Sequence, residues 1–296
     1  MPLLSPERRE SLWSWITTFF FHVLRLLPPR RASGLGEFLS RRLSPLHNPN
    51  SDRSARLTLR LIRPDDPESG RAEAVARAWG HVGRVQGEIC TLERMWDAAP
   101  IRMVNEEVVR RAVAQRRPVV FVFAHLGNWE LLAIAAVKLG LKLNVVYELL
   151  PERYELELSM RARRDLGYRL IEPTRAGLRE MLAALGRGEA VGIAIDEFKR
   201  GNVTAPPFGR PPRGDSNARL AARLARRFDA PVIPACCVRT GPFAFTITVY
   251  DALERPSAAE LEALCEGWIR AHPEQWYMLP RMRHGAAALN ASPPAA

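Results

Sequence analysis

The chain has 296 residues, of which 47% are hydrophobic and 25% charged, so it has enough apolar material for a sizeable core and is neither disordered nor fibrous. Its 43 basic residues outnumber 32 acidic ones, for a net charge of +11, and we expect anionic partners. Because the arginines are dispersed and no nucleic-acid-binding motif occurs, we expect no nucleic acid among those partners. The four cysteines form no C-x-x-C pair, so we expect no metal.

The first element is an almost wholly apolar segment over residues 12–24, with Arg8 and Arg9 before it and Arg25 after it. It is shorter than the roughly 18 to 20 residues that a membrane-crossing helix needs. Tryptophan and phenylalanine rings next to arginines are typical of a helix that lies in the membrane interface. The alternative is an apolar helix docked on the protein's own core. We predict a membrane-interacting helix within residues 1–35, a main domain over 36–285 and a disordered tail at 286–296.

The region from Arg71 to Val113 has apolar residues at the 3, 4, 3, 4 spacing of a helix face, and we predict helix throughout. Glu88 lies near that face. A buried carboxylate would need a partner, so we interpret Glu88 as a solvated or capping residue.

After Pro118, short β-rich runs alternate with helical stretches. The predicted strands are 119–124, 143–147, 168–172, 190–196, 231–238 and 243–250, and the predicted helices are 128–139, 151–165, 174–185, 215–228 and 257–271. Alternation of this kind is typical of an α/β fold in which a mostly parallel sheet is covered by helices on both faces. Cys236 and Cys237 fall within a predicted strand, where we expect them to pack in the core.

The hexapeptide HLGNWE, residues 125–130, follows the first of these strands, and reactive groups of such sheets lie beyond the carboxyl ends of strands. Gly127 permits a sharp turn, and Asn128 is a good N-cap for the next helix. With His125 before the turn and Glu130 after it, the two side chains can converge. We predict a general-base histidine held by a carboxylate, with a purely structural pair as the alternative.

This hexapeptide resembles the late acyltransferases of bacterial lipid A biosynthesis, the lauroyl and myristoyl acyltransferases, within the lysophospholipid and glycerolipid acyltransferase superfamily. Further similar segments follow in the same order: Arg163 in Arg-x3-Gly, Asp196 at the end of an apolar strand, Phe-Gly-x-Pro within 206–212, and Pro-Glu-Gln-Trp at 273–276. The resemblance spans about residues 12–283.

The resemblance implies a membrane-associated O-acyltransferase at the cytoplasmic face of the cell inner membrane. It would move a fatty acyl group from a thioester of acyl carrier protein or coenzyme A to a lipid hydroxyl, most simply that of a lipid A precursor. Its partners would be acyl carrier protein, the lipid acceptor and anionic membrane lipid, and it would need no cofactor beyond the acyl donor. A lysophospholipid, glycolipid or aminolipid acceptor, or a non-catalytic lipid-binding protein of the same fold, are the alternatives.

The resemblance also implies roles for single residues. His125 would take the hydroxyl proton and Glu130 would orient His125. We assign Asn128, Arg163, Arg164 and Asp196 to substrate binding, and no residue to a metal. The amides after Gly127, with Arg163 nearby, would stabilise the oxyanion. Arg163 or Arg164 would instead bind a phosphate of the acceptor or of the donor, and a solvated helix face is the alternative for either arginine. Asp196 would hold an arginine, order its loop or form a local cap.

Overall fold

A computed structural model describes residues 18–147, 153–163, 165–196, 198–199, 202–203, 206–209, 216–282 and 284. The predictions for Arg164, for the first part of the apolar segment and for the tail at 286–296 lie outside the described residues.

The N-terminal part of the chain forms a layer of helices. These are α1 (18–26), α2 (Pro29–His47), α3 (Pro49–Ile62), α4 (Glu68–Ile89) and α5 (Leu92–Ala98). Both α2 and α3 begin with proline, whose missing N–H costs nothing in the first turn. Helices α2 and α4 touch through their backbones, because a Cβ on Gly36 would lie 2.0 Å from the carbonyl oxygen of Gly83. The boundary expected at residue 35 falls inside α2.

The prediction of helix throughout Arg71 to Val113 is wrong in one segment. Strand β1 (Ile101–Val104) separates α5 from α6 (Glu107–Gln115) and pairs in parallel with the last strand of the sheet. Pro100, which cannot donate a helical hydrogen bond, precedes the strand. The helical spacing of the preceding residues hid this four-residue strand.

The remainder of the chain alternates strands and helices as predicted, except for two short strands, at 198–199 and 202–203, that were not predicted. The elements are β2 (Val119–Phe123), α7 (Glu130–Lys138), β3 (Leu143–Val146), α8 (Arg153–Ala162), β4 (Arg169–Ile171), α9 (Arg175–Gly186), β5 (Ala190–Ala194), β6 (Phe198–Lys199), β7 (Asn202–Val203), α10 (Asn217–Phe228), β8 (Val232–Gly241), β9 (Ala244–Val249) and α11 (Ala258–Ala271), followed by 3-10 turns at Pro273–Gln275 and Leu279–Arg281. Cys236 and Cys237 are buried in β8, which confirms their packing role.

Seven strands form the main sheet, in the order β1-β9-β8-β2-β5-β3-β4. Every neighbouring pair is parallel except β8 and β9, so the predicted mostly parallel α/β sheet is confirmed. Strand β2 lies in the middle and is buried along its whole length. The residues that directly follow β2 and its neighbour β5 therefore meet at the centre of the carboxyl edge.

The crossover helices divide between the two faces of this sheet. Helices α7 and α8 lead outward, from β2 to β3 and from β3 to β4, whereas α9 and α10 lead back, to β5 and then to β8. Right-handed crossovers place outward and returning helices on opposite faces. The packing agrees, because α7 contacts α5 of the N-terminal layer, while α9 contacts α10 and α10 contacts α11.

Candidate active site

His125 lies two residues beyond β2, opposite Asp196, which lies two residues beyond β5. The two strands are paired in register up to Phe123 and Ala194, which brings the two following residues face to face. The His125 Nδ1 atom is 2.8 Å from Asp196 Oδ1, and the His125 backbone N–H donates to Asp196 Oδ2 at 2.9 Å. The carboxylate thus holds the ring and the backbone of the histidine at once.

Asp196 is completely buried, and it also accepts a hydrogen bond of 2.9 Å from Trp276 Nε1. Burial by itself would raise the pKa of Asp196, but the charge of His125 and the hydrogen bonds from His125 and Trp276 hold that pKa below its usual value. An ionised carboxylate only accepts, so the Nδ1 of His125 carries a proton and donates it. The Nε2 atom of His125 is then the nitrogen able to accept a proton from a bound molecule.

The imidazole is within reach of solvent, with 18% of the His125 side chain exposed. Within the part of the chain that the structure describes, Nε2 of this ring has no hydrogen-bond partner. A neutral imidazole with one nitrogen anchored and the other open has the geometry of a general base.

The predicted contact between His125 and Glu130 is wrong. The Glu130 carboxylate is buried on the other side of the turn, where Arg163 Nε donates to both of its oxygens at 3.1 and 3.0 Å and Arg163 Nη2 adds a further hydrogen bond. Tyr168 Oη donates to Glu130 at 3.3 Å. Helix α7 begins at Glu130 itself. The helical backbone at this position directs the Glu130 carboxylate towards α8 rather than towards His125. Asp196 has the orienting position that we expected Glu130 to have.

Glu130 and Arg163 form a charge pair that changes the ionisation of its neighbours. Burial lowers the pKa of the Arg163 guanidinium, but the Glu130 carboxylate outweighs that effect, and the pKa is raised overall. Burial and the charge of Glu130 raise the pKa of Tyr168 well above its usual value. Arg163 also donates to the Ser159 backbone carbonyl and hydroxyl. Its guanidinium is engaged within the protein, in contrast to the phosphate-binding role that we expected.

Asn128 is buried, and both ends of its amide are engaged. Its Nδ2 donates to Glu88 at 2.9 Å, and its Oδ1 accepts the backbone N–H of Glu130 at 3.2 Å. With Asn128 as the N-cap, α7 would start at Trp129, but it starts one residue later, at Glu130. The hydrogen bond from Asn128 to Glu88 connects the turn to α4. These contacts leave the Asn128 amide no open side towards a substrate.

Glu88, which we expected to be solvated, is completely buried. It accepts hydrogen bonds from Ser33 Oγ at 2.6 Å, from Asn128 and from Arg239 Nη2 at 2.8 Å. One carboxylate thus joins α2, α4, the turn after β2 and strand β8. A buried charge is stable only with such partners, and they lie far away along the chain.

The Pro-Glu-Gln-Trp segment supports the turn from the opposite side. The backbone N–H of Gly127 donates to the Gln275 carbonyl at 3.1 Å, and that of Tyr277 donates to the His125 carbonyl at 2.9 Å. The Gln275 side chain binds the backbone N–H and carbonyl of Arg239 at 2.7 and 2.9 Å.

Gly127 has φ +57°, and a Cβ there would lie 2.3 Å from the Cys237 carbonyl oxygen, so only glycine fits. Of the amides after Gly127 that we expected to stabilise an oxyanion, that of Glu130 is engaged within the protein, by Asn128 Oδ1.

Aromatic side chains form one wall beside the histidine. The Trp129 ring lies edge-on to the His125 ring with centroids 4.9 Å apart, and the Tyr277 ring lies 4.9 Å from that of Trp129. Our sequence reasoning assigned these two residues no role. The available signals were their positions within HLGNWE and directly after Pro-Glu-Gln-Trp. Among the residues described, no group of three His, Cys, Asp or Glu side chains could hold a metal ion.

The fold and the site define an α/β protein with a histidine–aspartate pair at the carboxyl edge of a parallel sheet. The chain belongs to the bacterial lipid A biosynthesis acyltransferase family, because a sequence model of that family matches residues 6–283. Membership makes the protein an acyltransferase of lipid A biosynthesis with a lipid as its acceptor. No curated protein sequence matches the chain.

Proposed function

We propose that the protein transfers a fatty acyl group from an acyl thioester, carried by acyl carrier protein, to a hydroxyl group of a lipid A precursor, with His125 as the general base. The observation that supports this most directly is the geometry of His125, whose Nδ1 is bound by a buried Asp196 while Nε2 is open. Asp196 replaces Glu130 as the residue that orients the base. Coenzyme A thioesters are the alternative donor.

In this mechanism, Nε2 of His125 takes the proton of the acceptor hydroxyl as its oxygen attacks the thioester carbonyl carbon. The C–S bond of the tetrahedral intermediate then breaks, and the thiolate leaves with the proton that the imidazolium returns. The products are an ester and a free thiol. Asp196 holds the tautomer with Nδ1 protonated and stabilises the imidazolium while it carries both protons.

The Glu130–Arg163 pair is a positioning element in this proposal. It anchors the start of α7 to the end of α8, and Asn128 and Gly127 anchor the preceding turn to α4 and to the 273–276 segment. These contacts prevent the backbone of residues 125–130 from shifting when a substrate binds. A position error of about 1 Å at the base would cost roughly a hundredfold in rate.

We further propose that the protein acts at the cytoplasmic face of the inner membrane, which it contacts through α1 and α2. Large apolar side chains are exposed there: Phe19 is 63% exposed, Leu46 is 76% exposed, and Phe20, Leu26, Phe38 and Leu43 accompany them. Arg42 stacks over Phe38 at 3.9 Å, and Arg30, Arg31 and Arg41 are exposed nearby along α2. Aromatic rings and arginines together suit the headgroup region of an anionic bilayer. No described helix is long and apolar enough to cross a membrane.

One side of α1 packs on the protein, where Phe21 and Leu24 contact Leu158 and Ala162 of α8. The two alternatives for this segment, docking on the core and contact with the membrane, thus apply to different sides of one helix.

The acyl transfer is tested with purified protein, dodecanoyl acyl carrier protein and a detergent-dispersed lipid A precursor, followed by mass spectrometry. We expect the precursor to gain one dodecanoyl mass with wild-type protein and not with His125→Ala. A lysophospholipid in the same assay tests the alternative acceptor. A product formed equally well by His125→Ala would contradict the proposed chemistry.

Membrane contact is tested by co-sedimentation with phosphatidylglycerol vesicles. Phe19→Ser combined with Phe20→Ser should release much of the protein, because both rings are exposed and their loss leaves the core intact. Leu178→Ser, which removes an exposed apolar side chain from α9, is the matched control and should sediment like wild type. Equal sedimentation of all three proteins would exclude contact through α1.

A further inference from the structure

A second apolar surface, a recess in which Leu178 is exposed, lies between α9 and α10, on the face of the sheet opposite to α7 and α8. Its floor is formed by two leucines of each helix, Leu178 and Leu182 of α9 and Leu220 and Leu224 of α10, which enclose a groove of about 340 Å³. Each pair is four residues apart, so each lies on one side of its helix. Leu178 is one of the few large apolar side chains of the described chain that are exposed outside α1 and α2.

Arginines form the rim of this groove: Arg223, Arg226 and Arg227, all exposed on α10. Together with Arg219 they give this helix four basic residues and no acidic one. None of the four has a carboxylate partner among the residues that the structure describes. Several arginines of other helices are paired along their own helix, for example Arg56 with Asp52 on α3, Arg110 with Glu106 on α6 and Arg270 with Glu266 on α11.

The groove also starts close to the reactive histidine. At the start of α10, Asn217 donates a hydrogen bond of 2.9 Å to the Ala194 carbonyl, two residues before Asp196. Helix α9 starts at the same edge of the sheet, directly after β4. The near end of the groove, with Leu178 and Leu220, therefore lies within one helical turn of the edge where His125 lies, and Arg226 and Arg227 lie in the last turn of α10, farther from that edge.

We infer that this groove, framed by the leucines of α9 and α10 and the arginines of α10, is the docking surface for the acyl carrier protein, and this inference rests on the proposed function. The occupant that it fits is an acidic helix with a few apolar side chains, which would place carboxylates on the arginines and apolar groups on the leucines. An unpaired basic rim favours an acidic partner and accelerates its association.

A protein partner fits this surface better than a bilayer does. The apolar part is a recess lined by leucines, whereas the surface of α1 and α2 presents protruding phenylalanines. The two surfaces also lie on different faces of the sheet, because α1 packs on α8 while the groove lies between returning helices. A protein that rests on a membrane through α1 and α2 leaves the groove open to the cytoplasm, so the acceptor and the donor approach from different sides.

The test measures binding of fluorescently labelled dodecanoyl acyl carrier protein by anisotropy, with wild type and three single variants. Arg223→Glu replaces an attractive contact with the acidic carrier protein by a repulsive one. Leu178→Glu places a carboxylate in the groove. We expect each variant to raise the Kd for the carrier protein about tenfold. Arg111→Glu is the matched control, because Arg111 is also an exposed mid-helix arginine, but on α6. It should change the Kd less than twofold. Added salt should weaken wild-type binding.

Turnover provides a second measurement. Arg223→Glu should raise the KM for the carrier-bound donor, whereas Arg111→Glu, the control on α6, should leave that KM unchanged. Circular dichroism establishes that each variant is folded.

Two results would overturn the inference. One is wild-type affinity for the carrier protein in both groove variants, or equal weakening by Arg111→Glu. The other is loss of vesicle binding by Arg223→Glu with an unchanged Kd for the carrier protein, which would assign the groove to lipid. Failure of wild type to acylate a lipid A precursor from either donor would contradict the proposed function instead, and the binding comparison would still decide the role of the groove.

Discussion

Two side-chain pairs each have one member in the hexapeptide 125–130, and they differ in whether one of their atoms lacks a partner. In the His125–Asp196 pair, the carboxylate is buried and the imidazole is partly exposed, and its Nε2 atom has no partner among the described residues. In the Glu130–Arg163 pair, both side chains are engaged with each other and with Tyr168 and Ser159. The difference teaches that a pair suited to proton transfer keeps one hydrogen-bonding atom without a partner in the protein. In a structural pair, the hydrogen-bonding atoms of both side chains have partners.

The largest expected effect is that of removing the base. His125→Ala should lower kcat about 10³-fold, within the ~10²–10⁴ range of general-base contributions. The variant should stay folded, because the imidazole lies at the edge of the core. Single-turnover measurements with the carrier-bound donor provide the rate. A loss of less than tenfold in folded protein would show that the open nitrogen of His125 does not take the proton.

The next effect is that of the orienting carboxylate. Asp196→Asn should lower kcat about 10²-fold, because an amide can present its N–H to the ring and favour the wrong tautomer. A folded Asp196→Asn variant with wild-type kcat would show that Asp196 acts only on the backbone of His125.

For the Glu130–Arg163 pair, we expect a smaller effect on turnover than for His125 and Asp196, and a larger effect on the free energy of unfolding. Glu130→Leu leaves a largely buried guanidinium without its anion and should lower the free energy of unfolding by about 3 kcal/mol, with turnover reduced about tenfold. Combining it with Arg163→Met should recover part of that stability, because no charge is then left unpaired. Urea unfolding of the two single variants and the double variant measures the coupling. A folded double variant that loses as much turnover as His125→Ala would mean that the pair touches substrate.

The smallest effect concerns His81, a buried histidine near the turn at Gly127, whose Nε2 atom has no hydrogen-bond partner among the described residues. Burial, with the charge of Arg239, lowers the pKa of His81 to about 3 from 6.5. Between these values the unfolded chain binds a proton that the folded protein does not, so stability falls as the pH falls below 6.5, by about 1.4 kcal/mol per pH unit.

His81→Gln should therefore remove about 2 kcal/mol of the stability difference between pH 7 and pH 5. Urea unfolding at the two pH values is the measurement. His272, whose pKa is also lowered by burial and by Arg63, contributes in the same direction and is unchanged in the variant. An identical difference in wild type and His81→Gln would show that His81 is protonated in the folded protein.

Much of the fold was predictable because the relevant signals are local. The alternation of β-rich runs and amphipathic helices predicted nearly every element after Pro118, and His125 was predicted to lie at a strand end. Strand β1 was missed because it has four residues and follows a long helical pattern, and its pairing with β9 is parallel and distant along the chain. Glu88 was misjudged for a similar reason: its partners Ser33 and Arg239 are 55 and 151 residues away.

The sequence by itself determined the class of fold, the position of His125 at the end of a strand and, through HLGNWE and the segments after it, the acyltransferase family. Only the tertiary structure decided which carboxylate serves that histidine. Glu130 is close in sequence, but the start of α7 turns it towards Arg163, whereas Asp196 is 71 residues away and the pairing of β2 with β5 brings it to 2.8 Å. The physical reason is that a parallel sheet aligns the carboxyl ends of strands that are remote in sequence, and spacing along the chain does not encode that neighbourhood.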